Sequence, residues 1–370
     1  MFLFQIVDRN HNKLYYIQNS LYFMKILITG SGGLIGSELC NYFDNLNYKI
    51  IGIDNDQRKL FFGKNGSVNW KIKELKENLK NYTHHNIDIR DKKKLLYIFK
   101  KFKPDAIAHC AAQPSHDLAT KIIFDDFEVN TLGTLNLLDC IHKIVPKSPL
   151  VFLSTNKVYG DNPNKLPIKE LSKRWEFKND LFKRGINESL SIDHCTHSFF
   201  GASKLSADIY VQEYGNYFNL NCCSLRGGCL TGPSHSSVEL HGFLSYLVKA
   251  NVKNIPYKIY GYKGKQVRDN IHSKDVCRFI EAFFESPKKA QVYNLGGGYQ
   301  NSCSILEAMD LIEKKTKKKF TFKHVKQNRI GDHICYYSDL SKIKKHYPKW
   351  DVSITLDEII EQIIYGWSLR

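Results

Sequence analysis

KILITGSGGLIG, at residues 25–36, places a short apolar run directly before a glycine-rich turn and the start of an amphipathic pattern. The apolar run predicts a buried strand, and the pattern over residues 34–46 predicts the helix that follows it. Short apolar segments keep alternating with longer amphipathic ones, as in βαβ units. Further strands are predicted at 48–53, 85–89, 105–110, 150–154 and 221–226, and further helices at 91–102, 125–142 and 203–218. The chain therefore predicts an α/β fold with a Rossmann-type doubly wound parallel sheet.

The predicted sheet accounts for residues 24–228 and for a returning segment at about 271–296. Residues 229–270 and 297–370 follow a less regular pattern, which predicts a smaller, interleaved C-terminal domain that binds the substrate. Residues 1–23 lack the features of a secretion signal and precede the point where such a fold starts, so they are predicted to lie outside it.

Two long polar stretches interrupt the alternation. Residues 56–81, rich in Lys and Asn, form an insertion after the second predicted strand. Residues 161–197 lie between two elements that carry candidate functional residues. Loops of this length in a compact domain are usually functional or disordered, and a lid or substrate wall is expected for the second stretch.

Composition indicates a globular protein with a small anionic partner. Lys and Arg outnumber Asp and Glu by 54 to 37, which gives a formal net charge of +17. The basic residues are dispersed and no nucleic-acid recognition motif accompanies them, so nucleic acid is not expected. The 10 cysteines show neither the spacing of a zinc site nor that of a disulfide framework, so no metal is expected. Free cysteines are typical of a reducing compartment, so a cytoplasmic location is expected. No apolar run approaches the ~20 residues that span a bilayer, so no membrane partner is expected.

The glycine turn predicts a dinucleotide cofactor. Gly30 permits the tight turn, Gly33 lets the backbone approach a pyrophosphate, and Gly36 allows close packing of helix on strand. The pyrophosphate would lie at the helix N-terminus, beside Leu34 and Ile35, where backbone N–H groups favour an anion.

Two acidic positions are candidates for the adenosine end of this cofactor. Asp54 follows Gly30 by 24 residues and ends the second strand, where a carboxylate would bind the ribose hydroxyls. An acid at that place repels a 2′-phosphate, so NAD is predicted over NADP. Asp88 and Ile89 end the third predicted strand and are candidates for an adenine contact, with helix capping by the aspartate as the alternative.

The segment after the fourth predicted strand begins with Ala111 and Ala112, which are small enough for a dinucleotide to lie against the chain. Asn130, on the following helix, is a candidate cofactor contact or a structural residue. Polar side chains that follow the alanines are candidates for contacts to cofactor or substrate, with a polar loop and cap as the alternative. They are Gln113, Ser115 and His116.

Six short motifs are spaced along the chain. They are Thr29-Gly30-x-x-Gly33-x-x-Gly36, His109-Cys110-Ala111-Ala112-Gln113, Ser154-Thr155-Asn156-Lys157-Val158-Tyr159-Gly160, Gly201-x-Ser203-Lys204, the run from Arg226 to Pro233, and Gln266-Val267-Arg268-Asp269-Asn270-Ile271-His272. Together they resemble the extended short-chain dehydrogenase/reductase family, in its NAD-dependent nucleotide-sugar epimerase/dehydratase branch, from about Met24 to the C-terminus. Within that branch, Ser154-Thr155-Asn156-Lys157 and the run Arg226-Gly227-Gly228 look most similar to the CDP-paratose 2-epimerase group.

The resemblance implies an NAD cofactor, a nucleotide-diphosphate sugar as substrate, and roles for single residues. Thr155 would hydrogen-bond the reacting sugar hydroxyl, and Lys204 would hold the nicotinamide ribose. Arg268 would bind the substrate pyrophosphate, for which a forked guanidinium is suited. Further cofactor contacts are expected at Ser154 and Arg226, and further substrate contacts at Asn156 and Gly228.

The residues after Thr155 bear on the type of reaction. In 4,6-dehydratases of this branch an Asp-Glu pair follows the threonine and removes water by acid/base chemistry. Asn156 and Lys157 occupy those places here, which favours epimerisation over dehydration. The expected cycle moves hydride from a sugar carbon, C2 by the resemblance, to NAD⁺ and returns it to the other face. The product would serve a surface polysaccharide, and the helices at 125–142 and 203–218 are expected to pair across a homodimer axis.

Phe200 stands where the family carries its catalytic tyrosine, four residues before Lys204. A phenyl ring cannot take a proton, and loss of a positioned base typically costs roughly 10²–10⁴-fold in rate. Three explanations are open. Lys157 could serve as the base, His194 or His197 could enter the site, or the protein binds sugar nucleotides without turning them over.

Overall fold

The structure is a computed structural model that describes residues 15–17, 20–22, 24–235, 237–239, 242–326 and 331–369. The strands are β1 (Tyr15–Ile17), β2 (Ser20–Tyr22), β3 (Lys25–Thr29), β4 (Lys49–Ile53), β5 (Tyr82–His85), β6 (Ala106–His109), β7 (Leu150–Thr155), β8 (Ile168–Glu170), β9 (Trp175–Phe177), β10 (Cys222–Gly227), β11 (Cys229–Thr231), β12 (Tyr257–Tyr260), β13 (Val267–His272), β14 (Gln291–Leu295), β15 (Ser302–Ser304), β16 (Phe322–Val325) and β17 (Cys335–Tyr336). The α-helices are α1 (Leu34–Asn45), α2 (Arg58–Phe62), α3 (Asn69–Asn78), α4 (Lys92–Phe102), α5 (His116–Ala119), α6 (Ile123–Phe127), α7 (Gly133–Ile144), α8 (Ser198–Phe218), α9 (Phe243–Val252), α10 (Ser273–Glu285), α11 (Ile305–Thr316), α12 (Ser341–His346) and α13 (Leu356–Ser368).

Within the described residues, a parallel sheet of 7 strands runs in the order β14-β10-β7-β6-β3-β4-β5. Ile26, Leu27 and Ile28 in β3 are fully buried, as expected for a central parallel strand covered on both faces. The chain moves outward from β3 to β5 and then returns to β6 beside β3. The predicted Rossmann-type doubly wound fold is confirmed.

Helices cover both faces of the sheet with apolar side chains. On one face α1 and α10 contribute Phe43 and Phe279 to a single buried cluster. On the other face α4, α7 and α8 contribute Phe99, Leu137 and Val211. Among the helices in the described part of the chain, none combines the length and apolarity needed to cross a membrane.

A second domain stands over one end of the sheet. Its core is formed by α9, α11 and α13, and β13 pairs with β11, β15 and β17. Between these elements the chain returns to the large sheet, where β14 pairs in parallel with β10. The two domains are therefore interleaved. At the N-terminus, β1 and β2 pair with each other in an antiparallel ladder.

Several predicted elements differ from the structure. The third strand is β5, Tyr82–His85, and it ends before Asp88 and Ile89. Residues 56–81 hold α2 and α3, because Ile72 and Leu75 of α3 bury an apolar stripe that the Lys-rich composition conceals. The predicted helix at 125–142 contains a π-helical turn at Glu128–Leu132, between α6 and α7. Helix α8 begins at Ser198, so Phe200 is helical.

The stretch at 161–197 is placed differently from its prediction. It contains the β8–β9 hairpin, and Phe177 packs with Tyr336 and Tyr337 of the second domain. None of its residues lines the cavity described below. The lid or substrate wall expected there is wrong, because the aromatic side chains of this polar stretch bury themselves against the β17 segment.

Candidate active site

A cavity opens at the carboxyl ends of the central strands, where the strand order reverses between β3 and β6. Ligands of open α/β sheets bind at such a switch point. Tyr246, Tyr260 and Arg268 of the second domain form part of its wall. The predicted site residues that line it are Gly30, Gly33, Leu34, Ile35, Gly36, Asp54, Ile89, Ala111, Ala112, His116, Ser154, Thr155, Asn156, Lys157, Phe200, Lys204, Gly228 and Arg268.

The glycine turn forms one wall. Gly30 has φ +68°, and a Cβ there would lie 2.8 Å from the Ala111 backbone nitrogen. A Cβ on Gly36 would clash with the Gly30 carbonyl oxygen. These two positions therefore require glycine, and they leave the N-terminus of α1 open to the cavity for a pyrophosphate.

Asp54 closes the adenosine end of the turn. Its Oδ2 accepts a hydrogen bond from the Gly32 nitrogen at 2.9 Å, and its Oδ1 accepts one from the Asp56 nitrogen at 2.8 Å. Burial raises the pKa of this carboxyl despite those hydrogen bonds. Arg58 also lines the cavity, with its pKa lowered to about 10 by burial. Arg58 was missed in the sequence because it lies in the Lys- and Asn-rich insertion at 56–81, where no motif marks it.

The segment after β5 contributes apolar side chains, since Ile87 and Ile89 line the cavity and Asp88 does not. Asp88 forms an ion pair with Arg90, with Nη2 and Oδ2 2.8 Å apart. Its Oδ2 also accepts a hydrogen bond from Asn55. The predicted adenine contact at Asp88 therefore has no support in its placement, because β5 ends earlier and the carboxylate turns toward Arg90.

Three other predicted contacts are structural. Gln113 is fully buried, and its Nε2 donates to Asp126 Oδ1 at 2.6 Å. Asn130 accepts from the Gln113 nitrogen at 2.9 Å and donates to Ser203 Oγ at 3.1 Å. Ser115 caps α5. Gln113, Ser115 and Asn130 do not line the cavity, because their polar groups tie the loop after β6 to α6 and α8.

Arg226 is also outside the cavity wall. Its Nη2 lies 3.1 Å from Asp208 Oδ1, its Nε donates to Asp208 Oδ2 at 3.2 Å, and its Nη1 donates to the Tyr159 hydroxyl at 3.2 Å. The same carboxylate accepts from Ser154 Oγ at 2.6 Å. Arg226 is 5% exposed, and its guanidinium forms a buried ion pair with Asp208. The predicted contact between Arg226 and the cofactor is therefore not supported.

The side chains predicted to take part in the reaction lie at another part of the cavity. Thr155, Lys157, Phe200 and Lys204 all line it. Thr155 Oγ1 accepts from the Lys157 nitrogen at 3.3 Å, which fixes the hydroxyl at the end of β7. Phe200 presents an apolar ring where the family has a phenol.

Lys204 reaches under this end of the cavity from α8. Its Nζ donates to the Leu153 carbonyl oxygen at 2.6 Å and stands over the Phe152 ring, 4.1 Å from its centroid. Burial lowers the pKa of this amine to about 7, against the attraction of Asp208 and Asp126.

Lys157 belongs to a charged cluster that includes a residue missed in the sequence. Its Nζ lies 3.2 Å from Asp332 Oδ1, and Arg268 Nη2 lies 2.6 Å from the same oxygen. Asp332 is 175 residues beyond Lys157, and no motif marked it as part of the site.

The candidate histidines lie elsewhere. Neither His194 nor His197 lines the cavity, and His197 Nε2 lies 3.5 Å from Cys195 Sγ. His241, a candidate for the nucleotide pocket, lies outside the described residues. Within the described part of the chain no group of three or more His, Cys, Asp or Glu side chains is placed to hold a metal ion.

A family model for the NAD dependent epimerase/dehydratase family matches residues 26–296, and the chain belongs to that family. It is 29% identical over 352 residues to the CDP-paratose 2-epimerase of Salmonella typhi, which covers 93% of this chain and 99% of that protein. It is 26% identical over 339 residues to the dTDP-glucose 4,6-dehydratase of Salmonella typhimurium, which covers 87% of each.

A solved structure of the UDP-glucuronic acid 4-epimerase from Bacillus cereus, a tyrosine-to-phenylalanine mutant bound to NAD and a fluorinated substrate analogue, superposes with a TM-score of 0.76. It is 25% identical, covering 94% of this chain and 99% of that one. NAD is the cofactor of this chain. The glycine turn, with no room for side chains at Gly30 and Gly36, fits its pyrophosphate, and Asp54 lines the same cavity.

Proposed function

We propose that this protein epimerises a nucleotide-diphosphate sugar through a transient keto-sugar, without net redox change. The observation that carries the proposal is the pair Asn156 and Lys157, which lines the cavity directly after Thr155. Neither can supply the carboxylic acid and carboxylate that a dehydration needs there. The carboxylate nearby, on Asp332, is already paired with Lys157 and Arg268.

The proposed substrate is a CDP-linked deoxyhexose that reacts at C2. Its support is the similarity to the CDP-paratose 2-epimerase of Salmonella typhi, at 29% identity. Arg268, which lines the cavity beside Lys157, would exchange Asp332 for the diphosphate of the substrate. The reaction is placed in the cytoplasm, on the way to a surface polysaccharide.

Four residues are proposed to do the chemical work at the sugar. NAD, when bound, takes hydride from the sugar carbon and returns it. Thr155 orients the reacting hydroxyl from the end of β7. The ammonium of Lys157 stabilises negative charge on the sugar oxygen, since Asp332 favours its protonated form. Lys204 holds the nicotinamide ribose, and Phe200 packs against the sugar.

A panel of CDP-, UDP-, GDP- and dTDP-sugars, incubated with the purified protein and analysed by NMR and mass spectrometry, tests the proposal. We expect a product with the mass of its substrate and no accumulation of free NADH. A product lighter by one water would replace epimerisation with dehydration. If no sugar nucleotide reacts although several bind, the protein is a binding member of its family, the alternative that Phe200 favours.

Asp54 is proposed to set the preference for NAD, because its carboxylate would repel a 2′-phosphate. Asp54→Ala should narrow the difference between the dissociation constants of NAD and NADP, measured by calorimetry. Asp54→Asn separates the effect of charge from that of size. It removes the charge but keeps the size of the side chain and a hydrogen-bond acceptor for Gly32. Equal or tighter binding of NADP by the unmodified protein would contradict this role.

We also propose a homodimer that pairs α6, α7 and α8 with their copies. The support is a set of large apolar side chains exposed on α6, on α8 and on the π-helical turn between α6 and α7. They are Phe124, Phe127, Leu132, Ile209, Tyr210 and Tyr217. Exposed patches of this kind mark protein interfaces. Sedimentation equilibrium should give twice the chain mass, and a monomer at micromolar concentration would contradict the proposal.

A further inference from the structure

Two residues of α8 bear on which group can accept the proton of the sugar hydroxyl. Phe200 and Lys204 lie four positions apart, so they share one face of the helix, and both line the cavity with Thr155. The Phe200 ring has neither a donor nor an acceptor. The proton of the sugar hydroxyl therefore needs another acceptor at this end of the cavity.

Lys157 is poorly suited to accept it. Its Nζ lies 3.2 Å from Asp332 Oδ1 and donates to the Gly331 carbonyl oxygen at 3.1 Å. The first contact is an ion pair that engages the amine with a carboxylate. The sequence left Lys157 open as a base because its contact with Asp332 could not be foreseen.

Lys204 has no such carboxylate beside its amine. It is 3% exposed, and its Nζ has the Leu153 carbonyl oxygen on one side and the Phe152 ring on another. Among the described residues no carboxylate lies within ion-pair distance of this nitrogen, since Asp208 is paired with Arg226. The carbonyl oxygen and the ring both favour the ammonium, but burial without a close counter-ion opposes it and has the larger effect.

The ionisable groups packed around Lys204 leave this preference in place. Asp208 on the same helix and Asp126 on α6 attract the ammonium, but burial has the larger effect and lowers the Lys204 pKa to about 7. At the end of β6, burial lowers the pKa of His109 to about 3 and raises the pKa of Cys110 to about 12. Both are uncharged at neutral pH.

We propose that, in the epimerisation proposed above, the neutral amine of Lys204 accepts the proton of the sugar hydroxyl, directly or through one water, and later returns it. The O–H bond of the sugar breaks as an N–H bond forms on Nζ. The two electrons of the adjacent C–H bond leave with its hydrogen as hydride, for which NAD is the acceptor. Return of hydride to the other face takes the proton back from the Lys204 ammonium, so charge and electrons balance. Lys204 is then a catalytic residue as well as a ribose contact.

Proton release on cofactor binding tests this role without any turnover. The cationic nicotinamide ring of NAD⁺ should drive the remaining protons off Lys204, whereas the neutral ring of NADH should not. Calorimetry of NAD⁺ binding at pH 7, in two buffers with different ionisation enthalpies, should show release of about half a proton per site, since Lys204 titrates near that pH. NADH should release less, and Lys204→Arg, which cannot lose its proton, should release none. Binding of NAD⁺ without proton release by the native protein would overturn the proposal.

Turnover supplies a second test. The rate should fall as the pH drops below 7, because the ammonium form of Lys204 cannot accept a proton and bound NAD⁺ lowers the pKa of this amine relative to the free protein. Lys204→Arg should lower kcat at least a hundredfold. Adding Phe200→Tyr to that variant should restore part of the lost rate, because the tyrosine supplies a phenol. Full activity of Lys204→Arg would overturn the assignment even if epimerisation is observed. If no sugar reacts, the proposed function fails, while the calorimetric result still decides whether Lys204 titrates near neutrality.

Discussion

Lys157→Met is expected to lower kcat by about 10²–10³-fold and to leave NAD affinity nearly unchanged. The variant removes the ammonium that stabilises charge on the sugar oxygen, and removing one such donor from an active site has costs of this size. Lys157 lies in the charged cluster with Asp332 and Arg268, away from the glycine turn, so the cofactor should bind as before.

Steady-state kinetics with the reacting sugar nucleotide, together with calorimetry of NAD binding, measure the two effects separately. Lys169→Met is a matched control, because Lys169 pairs with Glu176 on the β8–β9 hairpin outside the cavity. It should leave both quantities unchanged. Full activity of Lys157→Met would remove this lysine from the site.

Arg226→Met should destabilise the fold by about 3–5 kcal/mol, because it leaves the Asp208 carboxylate buried without its cation. Asp208 is fully buried, and besides Arg226 it accepts hydrogen bonds from Ser154 and Gln212. The effect should appear as a lower midpoint in chemical denaturation at constant slope.

Arg90→Met is the control for a more exposed pair, since Arg90 and Asp88 are each 27% exposed and such pairs contribute about 0–1 kcal/mol. Arg226→Met that is as stable as the native protein but binds NAD weakly would show that Arg226 contacts the cofactor after all.

The parts of this fold that depend on neighbouring residues were predictable from the sequence. The strand β3, the turn at Gly30 and the start of α1 follow one another directly, and their glycine spacing has one physical use. The position of Thr155 was equally accessible, because the carboxyl ends of parallel strands meet at one edge of the sheet. The place of Lys204 in the site was predictable from its position four residues after Phe200.

The residues that sequence reasoning missed or misplaced depend on distant contacts. Asp332 meets Lys157 across 175 residues of chain, and Arg226 meets Asp208 across 18. Gln113 and Asn130 carry the polar groups expected of ligand contacts. These groups instead form hydrogen bonds with residues of α6 and α8. Whether a polar side chain points into a cavity or into such a network is settled by packing, which no local pattern encodes.

The proposed epimerisation requires that hydride leaves one sugar carbon and returns to the same carbon within one site. The direct measurement uses a sugar nucleotide that carries deuterium at the epimerising carbon, C2 in the proposal, with the reaction run in ordinary water and the product analysed by NMR. We expect the epimer to keep its deuterium at that carbon, because hydride held by NAD does not exchange with solvent. An epimer that has lost the deuterium to water would contradict the account, since the carbon would then have been inverted through proton abstraction.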